Sequence, residues 1–455
     1  MDRHRLTRLA AHLGSGAVIV VLSPWSGTTA PLPSDAPQPR PNIVLVTVDT
    51  LRADRLGSYG YARDTTPHLD RFFEAGVRFA RARAVEPLTN PSLCSMMTSM
   101  YPQDHGASRN GLRMRPGLAS LPKTLQDYGY VTAAFVGNWT LKTKLSGLGE
   151  HFDDYEEVLN RKRWMGFLRR EATAEDLTDS ALEWVDGRSD SAPFLLWVHY
   201  VEPHAPYRLH EEFVEPLGLP PGDKAAPGDR YDTEVAFVDA QIGRLLDGLE
   251  RRLPELPLVV FASDHGESLG EHDYWGHGRN LHEPGLWIPM GLRWPGRLRG
   301  GVVNAAAMNI DLAPTLLGLL GVPAPDSFRG FDWTGVFEGA EEPVGRITYY
   351  QAHRGAVISK HESDLARRKG LLAVGLIDGS MKEVWKLDDE TYHAWNLESD
   401  PHERHNLAEG SAASGPELRG WIEVVSTGLA DLDELPAEPL DEVSASRLRD
   451  LGYVD

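Results

Sequence analysis

Four mostly apolar runs without polar–apolar alternation constrain the fold of this 455-residue chain more than any other feature; they span residues 43–48, 131–136, 194–200 and 256–262. A strand that is covered on both faces needs continuous Val, Ile, Leu and Phe, whereas a half-exposed strand alternates. Helical signals lie between the runs. Thr66-Pro67 suits a helix start, and apolar residues recur at helical spacing within 230–250. Strands that alternate with helices predict an α/β fold with a large, mainly parallel sheet flanked by helices.

The pattern changes after about residue 345. Residues 346–351 and 371–387 look like strands, and Asp378-Gly379 is a hairpin turn signal. We therefore predict a main domain over 42–345 and a small antiparallel C-terminal subdomain with a tail over 346–455. The last residues, 447–455, are compatible with a docking tail or a frayed terminus.

The first 41 residues have a different character. Arg3, Arg5 and Arg8 precede an apolar run at 17–22, and small residues at 28–30 offer a cleavage site. This pattern is typical of an export signal, and the run is shorter than the ~20 residues of a membrane span. We expect a secreted or periplasmic protein; the alternative is an apolar start of a cytoplasmic one. Residues 31–41 are proline-rich and read as an extended linker.

Charge and cysteine content exclude several classes of function. The chain has 66 acidic and 46 Lys or Arg residues, a formal charge of −20. Such a chain is a poor partner for nucleic acid or anionic membranes, which select clustered positive charge. A single cysteine, Cys94, rules out an internal disulfide and a thiolate metal cluster. Any metal must therefore bind His, Asp, Glu or hydroxyl groups.

Acidic residues and a histidine follow two of the predicted strands directly. Asp49 comes after 43–48, and Asp264-His265 come shortly after 256–262. Functional groups of an open α/β sheet gather beyond the carboxyl ends of its strands, so we expect these three side chains at one edge. Each acid alone is compatible with a helix cap or a turn. Together they predict a divalent-metal site.

Thr89 precedes Pro91 and an apolar segment, 93–100, that we predict to be helical. A hydroxyl just before a helix, with proline in the first turn, is an ordinary N-cap arrangement. A helix N-terminus also presents unpaired N–H groups that suit an anionic ester. A threonine held there with its oxygen on a metal would be an activated nucleophile.

Two further histidines lie in loops that we place at the same edge. His204 follows the run 194–200, and His277 lies in a loop rich in Gly and Trp, twelve residues after His265. Each is compatible with a surface contact, with a second metal, or with an anion-binding role. Asn110 is a candidate substrate contact, and weaker candidates of the histidine kind are His199, His272 and His282.

Several segments, in order, carry a resemblance to a known family. They are PNIVLVTVDTLRAD (41–54), MTSMYP (97–102), SDHGESLGE (263–271) and NLESDPHE (396–403). From about residue 41 to the C-terminus the chain resembles the sulfatase family of the alkaline phosphatase superfamily, and many ordered matches are far more specific than one short motif. The resemblance implies an alkaline phosphatase-like fold and a metal held by Asp49, Asp264 and His265.

The departures from that family concern the nucleophile. Formylglycine sulfatases carry Cys or Ser where this chain has Thr89, and Arg where it has Leu93. The family's Lys-x-His is replaced by Asn138-Trp139-Thr140. We expect no formylglycine. The remaining pattern resembles the threonine branch of the superfamily, in which a metal-bound Thr attacks phosphorus, with second-site or substrate histidines at His204 and His277. That branch implies zinc or manganese, whereas resemblance to the formylglycine sulfatases implies calcium; we favour zinc, with calcium and manganese as alternatives.

The expected activity is therefore metal-dependent hydrolysis, or transfer, of phosphate or sulfate esters through Thr89, with phosphoryl chemistry favoured. The substrate would be a small molecule or an ester on a glycan or lipid headgroup. Two alternatives stay open. One is a sulfatase that works without formylglycine, and the other is a catalytically inactive, sulfatase-like binding protein.

Overall fold

The structure is a computed structural model that describes residues 40–163, 168–355, 370–408 and 415–432, with positions 442 and 446. Side chains are described in these ranges except at 160–163, 168–171 and 223. The predicted export signal, most of the proline-rich linker and the tail at 447–455 lie outside the described residues. The division of the chain at residues 41 and 345 stays a prediction.

The strands are numbered in chain order. They are β1 (Ile43–Val48), β2 (Val77–Phe79), β3 (Ala82–Arg83), β4 (Val131–Val136), β5 (Asp154–Glu157), β6 (Asn160–Arg163), β7 (Leu168–Glu171), β8 (Phe194–Tyr200), β9 (Leu258–Ser263), β10 (Ser268–Leu269), β11 (Trp275–Gly276), β12 (Met290–Arg293), β13 (Gly301–Val303), β14 (Ala307–Met308), β15 (Thr348–His353), β16 (Leu371–Asp378), β17 (Met381–Lys386) and β18 (Thr391–Asn396).

The α-helices follow in the same order. They are α1 (Pro67–Ala75), α2 (Thr89–Thr98), α3 (Pro102–His105), α4 (Leu121–Asp127), α5 (Thr143–Ser146), α6 (Ala174–Asp186), α7 (Glu211–Val214), α8 (Pro227–Arg252), α9 (Glu283–Leu286), α10 (Leu312–Leu319), α11 (Thr334–Phe337) and α12 (Pro416–Leu432). None of the helices in the described part of the chain combines the length and apolar composition that a membrane span requires.

Eight strands form the main sheet in the order β13-β2-β12-β9-β1-β8-β4-β5. Neighbouring strands run parallel except where β12 lies antiparallel to both β2 and β9. The predicted large, mainly parallel sheet is therefore confirmed. Its centre is β1, which pairs with β8 on one side and β9 on the other.

Helices cover both faces of this sheet, which is why its central strands are mostly apolar and fully buried. Val44, Val46 and Val48 of β1 belong to a core shared with α1, α6 and α8. Ile43 and Leu45 belong to the core on the opposite face, shared with α2, α4 and α10. Alternate residues of one strand are thus buried on opposite sides, as a doubly covered strand requires.

The predicted small antiparallel sheet is also present, in the order β15-β16-β17-β18. Asp378 pairs with Met381, so Gly379 and Ser380 form the turn of the β16–β17 hairpin, and Gly379 has a φ of +59°. Glycine adopts this left-handed conformation without steric cost. Apolar residues of α12 pack on this sheet, including Trp421 and Val425.

A buried ionic network joins the small sheet to the main domain. The guanidinium of Arg83 donates to Glu283, and the Lys382 ammonium lies 3.0 Å from Glu283 Oε1 and 2.7 Å from Glu403 Oε1. The Oε2 atom of Glu403 lies 3.1 Å from His282 Nδ1. These five side chains come from both parts of the chain, so the network holds the C-terminal sheet against the loop that begins α9.

Several predicted boundaries are corrected by the structure. β9 begins at Leu258 rather than at 256 because Pro257 cannot donate to the ladder. The helix predicted at 93–100 is α2, which begins at Thr89 and ends at Thr98. The next residue, Ser99, has a left-handed backbone conformation. Proline at 91 is accommodated inside the first turn, where its missing N–H would be unpaired anyway. The residue that caps α2 is Leu88, so the N-cap interpretation of Thr89 is wrong.

Candidate active site

The carboxyl edge of the main sheet brings the two predicted metal-binding acids together. Val48 pairs with Ser263 at the ends of β1 and β9, and Asp49 and Asp264 follow these two residues directly. The Asp49 N–H donates to the Tyr200 carbonyl at 2.9 Å, and the Asp264 N–H donates to the Val48 carbonyl at 3.2 Å. Strand pairing therefore fixes both carboxylates at one level of the sheet.

His265 and Thr89 complete a compact group with these acids. Nε2 of His265 lies 3.7 Å from Asp49 Oδ1, 3.5 Å from Asp264 Oδ2 and 3.4 Å from Thr89 Oγ1. All four side chains are fully buried. The structure therefore assembles the four residues that the sequence singled out for a metal and a nucleophile.

The imidazole of His265 is held in the form that can bind a cation. Its Nδ1 lies 2.9 Å from the Gly266 carbonyl oxygen, which can only accept, so Nδ1 carries the proton and Nε2 has its lone pair. Burial, with repulsion from His277, lowers the pKa of His265 to about 3. His265 is therefore neutral at neutral pH.

The two carboxylates repel each other at close range. Burial, and next the negative charge of Asp49, raise the pKa of Asp264 well above its ordinary value. Burial also raises the pKa of Asp49, but attraction by His204 and the other nearby histidines outweighs it and leaves that pKa below its usual range. A cation between the two acids would offset the repulsion.

Unpaired buried atoms test whether these residues fit a divalent cation. Within the described ranges, Asp49 Oδ1, Asp264 Oδ2 and His199 Nε2 are buried and have no hydrogen-bond partner. Buried polar atoms without partners are rare because they cost free energy. Carboxylate oxygens and a neutral imidazole are ligands of zinc, manganese or calcium sites, so this donor set fits a divalent metal.

His199 belongs to this group more closely than its sequence context indicated. It is fully buried in β8, and its Nε2 lies 3.8 Å from Asp49 Oδ2. One ligand atom each from Asp49, His199 and Asp264 lie within 4.8 Å of one another. The Nδ1 atom of His199 lies 2.8 Å from Thr47 Oγ1. Its position near the carboxyl end of a buried strand was the signal that placed it at this edge.

Asn138, which stands where the family carries a lysine, contacts the first acid. Its Nδ2 donates to Asp49 Oδ2, and its Oδ1 accepts from the Thr140 N–H at 2.8 Å. A neutral amide therefore contacts Asp49 at this place without adding a charge to the site. No pattern within this single sequence distinguishes that role from an ordinary turn asparagine.

The predicted histidines His204 and His277 lie beside the same group. The ring centre of His277 is 4.5 Å from that of His265 and 5.1 Å from that of His204. His277 Nδ1 lies 3.0 Å from Oε1 of the buried Glu267, and His204 Nδ1 donates to the Ala205 carbonyl at 2.7 Å. Burial lowers the pKa of His277 to about 4 and raises that of Glu267 to about 7. Sequence reasoning missed Glu267, although the run SDHGE places it only two residues after His265.

The weaker candidates His272 and His282 form a separate group. Their rings stack face to face, with centres 3.7 Å apart and planes inclined by 9°, and both lie near Glu403. Lone pairs in parallel ring planes do not converge on one ion, and the Lys382 ammonium already neutralises Glu403. These histidines are therefore part of the ionic network and not of the Asp49 site.

Asn110 reaches the start of α2 as expected of a residue near the substrate. Its Oδ1 accepts from the backbone N–H of Asn90 at 3.0 Å, one residue after Thr89. Among the described residues its buried Nδ2 has no hydrogen-bond partner. Asn110 thus offers a donor close to the candidate nucleophile.

A cavity of about 90 Å³ adjoins the site next to Asn138 and His204. Its polar wall includes Glu202, Arg208, His210 and Glu234. Oε2 of Glu234 lies 3.0 Å from His210 Nε2. Burial, and then the charge of Glu234, raise the pKa of Glu202 to about 7. The cavity therefore has a polar, ionisable wall directly beside the Asp49 site.

Comparison with known proteins shows the family to which the chain belongs. The sulfatase family model matches residues 41–322, more than half of the chain. The chain belongs to the sulfatase family. It is a hydrolase of that family, as the resemblance in the sequence implied. A second model, the C-terminal region of N-sulphoglucosamine sulphohydrolase, matches residues 270–415.

Individual sulfatases and related hydrolases align over most of their length. An N-acetylglucosamine-6-O-sulfatase of Bacteroides thetaiotaomicron is 24% identical over 81% of this chain and 82% of its own. A protein solved with its substrate D-glucosamine-2-N,6-O-disulfate has a TM-score of 0.67 at 21% identity, covering 88% of this sulfatase-family chain and 100% of that one. The phosphonate monoester hydrolase of Agrobacterium radiobacter has a TM-score of 0.66 at 19% identity, covering 86% and 96%. At these identities the two structures confirm the fold alone.

Proposed function

We propose that this sulfatase-family protein is a metal-dependent hydrolase of phosphoric or sulfuric esters, with Thr89 as the nucleophile and phosphoric esters favoured. The observation that carries the proposal is the contact between Thr89 Oγ1 and His265 Nε2, 3.4 Å apart, beside two buried carboxylates. A threonine hydroxyl beside an imidazole and two carboxylates suits a nucleophile that a metal activates. An ester centre bound there lies next to the hydroxyl and to the N-terminus of α2.

Asp49, Asp264 and His265 would hold the metal, with Thr89 as an oxygen ligand; zinc is favoured, and calcium and manganese are the alternatives. When bound, a divalent ion lowers the pKa of a neighbouring hydroxyl and neutralises charge that develops on the ester oxygens. The chain supplies the rest of the arrangement. Asn138 orients the Asp49 carboxylate, and the Gly266 carbonyl keeps His265 in its ligating tautomer.

The other polar residues would bind the substrate and transfer protons during the reaction. His204 and His277, whose rings lie next to each other and beside His265, would exchange a proton with the leaving group or with water. The buried amide of Asn110 is positioned to donate to an ester oxygen.

The nucleophile decides between the two ester classes. A formylglycine hydrate releases sulfate by breaking its own C–O bond, whereas a threonine sulfate ester offers no such exit and must be attacked at sulfur. A threonine phosphate ester can be hydrolysed at phosphorus or passed to an acceptor. Cys94 is not an alternative nucleophile, because its Sγ donates to Asn90 Oδ1 at 3.2 Å within α2 and burial raises the pKa of its thiol well above the ordinary value.

A sulfatase that works without formylglycine is the second candidate. The sulfatase names of the relatives support it, among them the N-acetylglucosamine-6-O-sulfatase of Bacteroides thetaiotaomicron. The substrate in either case would be a small molecule or an ester on a glycan or lipid headgroup. The basic and apolar N-terminal segment supports export to the periplasm or the medium.

A two-substrate comparison on the full chain tests the proposal. Chelator-treated protein is reloaded with zinc, manganese or calcium and assayed with an aryl phosphodiester and the matching aryl sulfate. We expect metal-dependent turnover, faster on the phosphodiester, and its loss in Thr89→Ala. Faster turnover of the sulfate would favour the second candidate. Metal binding without turnover of either substrate would contradict catalysis and favour a sulfatase-like binding protein.

A further inference from the structure

The turn that follows β1 has an unusual backbone conformation. Thr50, directly after Asp49, has a φ of +58° and is fully buried. A β-branched residue is rarely found in this left-handed region, because its side chain crowds the backbone. Such a conformation persists only where the surroundings hold it, and it recurs at functional sites.

One phenol bridges the two ends of this turn. The Tyr231 hydroxyl donates to the Thr50 carbonyl oxygen at 2.7 Å and accepts from the Arg52 N–H at 3.1 Å. The Thr50 N–H in turn donates to Asp264 Oδ1 at 3.1 Å. The same short segment therefore connects the tyrosine to both carboxylates of the site.

The anchor points of this bridge are themselves held by packing and by hydrogen bonds. Tyr231 is fully buried in α8, a helix of 26 residues whose apolar side packs against the main sheet. The Arg52 guanidinium donates to Asp54 at 2.7 Å and to Glu271 at 2.7 Å. The Tyr231 hydroxyl thus connects the turn at Thr50 to a helix that is held in place by its packing on the main sheet.

We infer that Tyr231 is a positioning residue for the metal site, which rests on the proposed function above. Its hydroxyl holds Thr50 in the left-handed conformation and so keeps the Asp49 carboxylate opposite that of Asp264. Without the hydroxyl, the Thr50 carbonyl and the Arg52 N–H both lose their partner, and the turn is released toward an ordinary conformation. Asp49 then moves relative to the other ligands, although Tyr231 contacts neither metal nor substrate.

Metal titration of Tyr231→Phe tests the inference, and Tyr200→Phe is a matched control. Tyr200 is also fully buried, but its hydroxyl contacts Thr178 at 2.8 Å, away from the turn. Zinc affinity of chelator-stripped full chains is measured by calorimetry, with thermal unfolding as the check on folding. We expect Tyr231→Phe to bind zinc on the order of tenfold more weakly, as expected for loss of a residue that supports a metal ligand, and Tyr200→Phe to match the wild type.

A double-mutant cycle with Thr50→Gly provides a second measurement. Glycine adopts a positive φ readily, so Tyr231→Phe should weaken zinc binding less in the Thr50→Gly background than in the wild-type background. Wild-type affinity in Tyr231→Phe, an equal loss in Tyr200→Phe, or an unchanged effect in the Thr50→Gly background would each overturn the inference. Failure of the wild-type chain to bind any metal would instead refute the proposed function.

Discussion

Thr89 Oγ1 lies 3.4 Å from His265 Nε2, and both side chains are completely enclosed by the fold. Because bulk solvent does not contact this hydroxyl, a substrate must enter the site before Thr89 can attack it. We predict that Thr89→Ala lowers kcat/KM by at least roughly a thousandfold, because the attacking oxygen is lost. Steady-state kinetics measures the effect. Thr89→Ser keeps the oxygen and should retain turnover, and equal activity of the alanine variant and the wild type would exclude Thr89 as nucleophile.

Gly266 leaves room for a carbonyl beside the metal site. A Cβ at this residue would clash with the Pro284 carbonyl oxygen. We predict that Gly266→Ala destabilises the protein by about 1–3 kcal/mol and weakens metal binding, because the neighbouring His265 is displaced. Thermal unfolding with and without metal measures both effects. Gly228→Ala is the control, since a Cβ there meets no atom within 4 Å; comparable losses in both variants would refute the steric explanation.

His105 should make the fold sensitive to mild acid. Its Nδ1 accepts from the Ala107 N–H at 3.1 Å and its Nε2 lies 2.9 Å from Ser95 Oγ, so the ring is neutral. Burial lowers its pKa to about 3, whereas in the unfolded chain His ionises near pH 6.5. Between these values only the unfolded state takes up the proton, so stability falls as the pH falls below about 6.5.

The corresponding measurement is the free energy of unfolding at pH 7 and pH 5. His105 should account for a loss of up to about 2 kcal/mol over this interval, and His105→Gln should be less sensitive to pH by that amount. His405, whose side chain is 83% exposed, provides a control position for the same substitution. An unchanged pH dependence in His105→Gln would mean that other groups cause the acid sensitivity.

Lys382 is expected to matter far more than an exposed basic residue. Its side chain is 1% exposed and contacts both Glu283 and Glu403. We predict that Lys382→Met destabilises the protein by about 3 kcal/mol, because two buried carboxylates lose a cation. Denaturant unfolding measures this, with Arg252→Met, which breaks an exposed pair with Asp186, as the control. A loss in Lys382→Met no larger than in the control would show that the network does not stabilise the fold.

The main sheet could be predicted from the sequence because strands that are buried on both faces have continuous apolar runs. The runs at Ile43–Val48, Val131–Val136 and Phe194–Tyr200 are strands with the predicted bounds. The reversed strand β12 was not predicted, because a short run of four residues has no pattern that encodes its direction. The start of α2 was misplaced because Pro91 looked like a boundary but lies within the first turn.

The site was predictable wherever a residue followed a strand. Asp49, Asp264 and His265 lie together because neighbouring strands end at one level. Contacts that helices and distant loops make with the site have no corresponding pattern in the sequence. The bridge from Tyr231 to Thr50 spans 181 positions, and nothing in the spacing of the two residues predicts it. The roles of Asn138 and Glu267 likewise depend on packing between loops.

The ionic network around Lys382 limits how the chain can be divided or recombined. A fragment ending at residue 345 would lack both Lys382 and Glu403, and Arg83 would remain as the single basic partner of Glu283 in that group. The loop that carries His277 and leads into α9 would then lose its support. The C-terminal sheet is therefore a structural part of the enzyme rather than an exchangeable module. Transplanting a C-terminal sheet from a relative should succeed only where the donor brings matching charges with it.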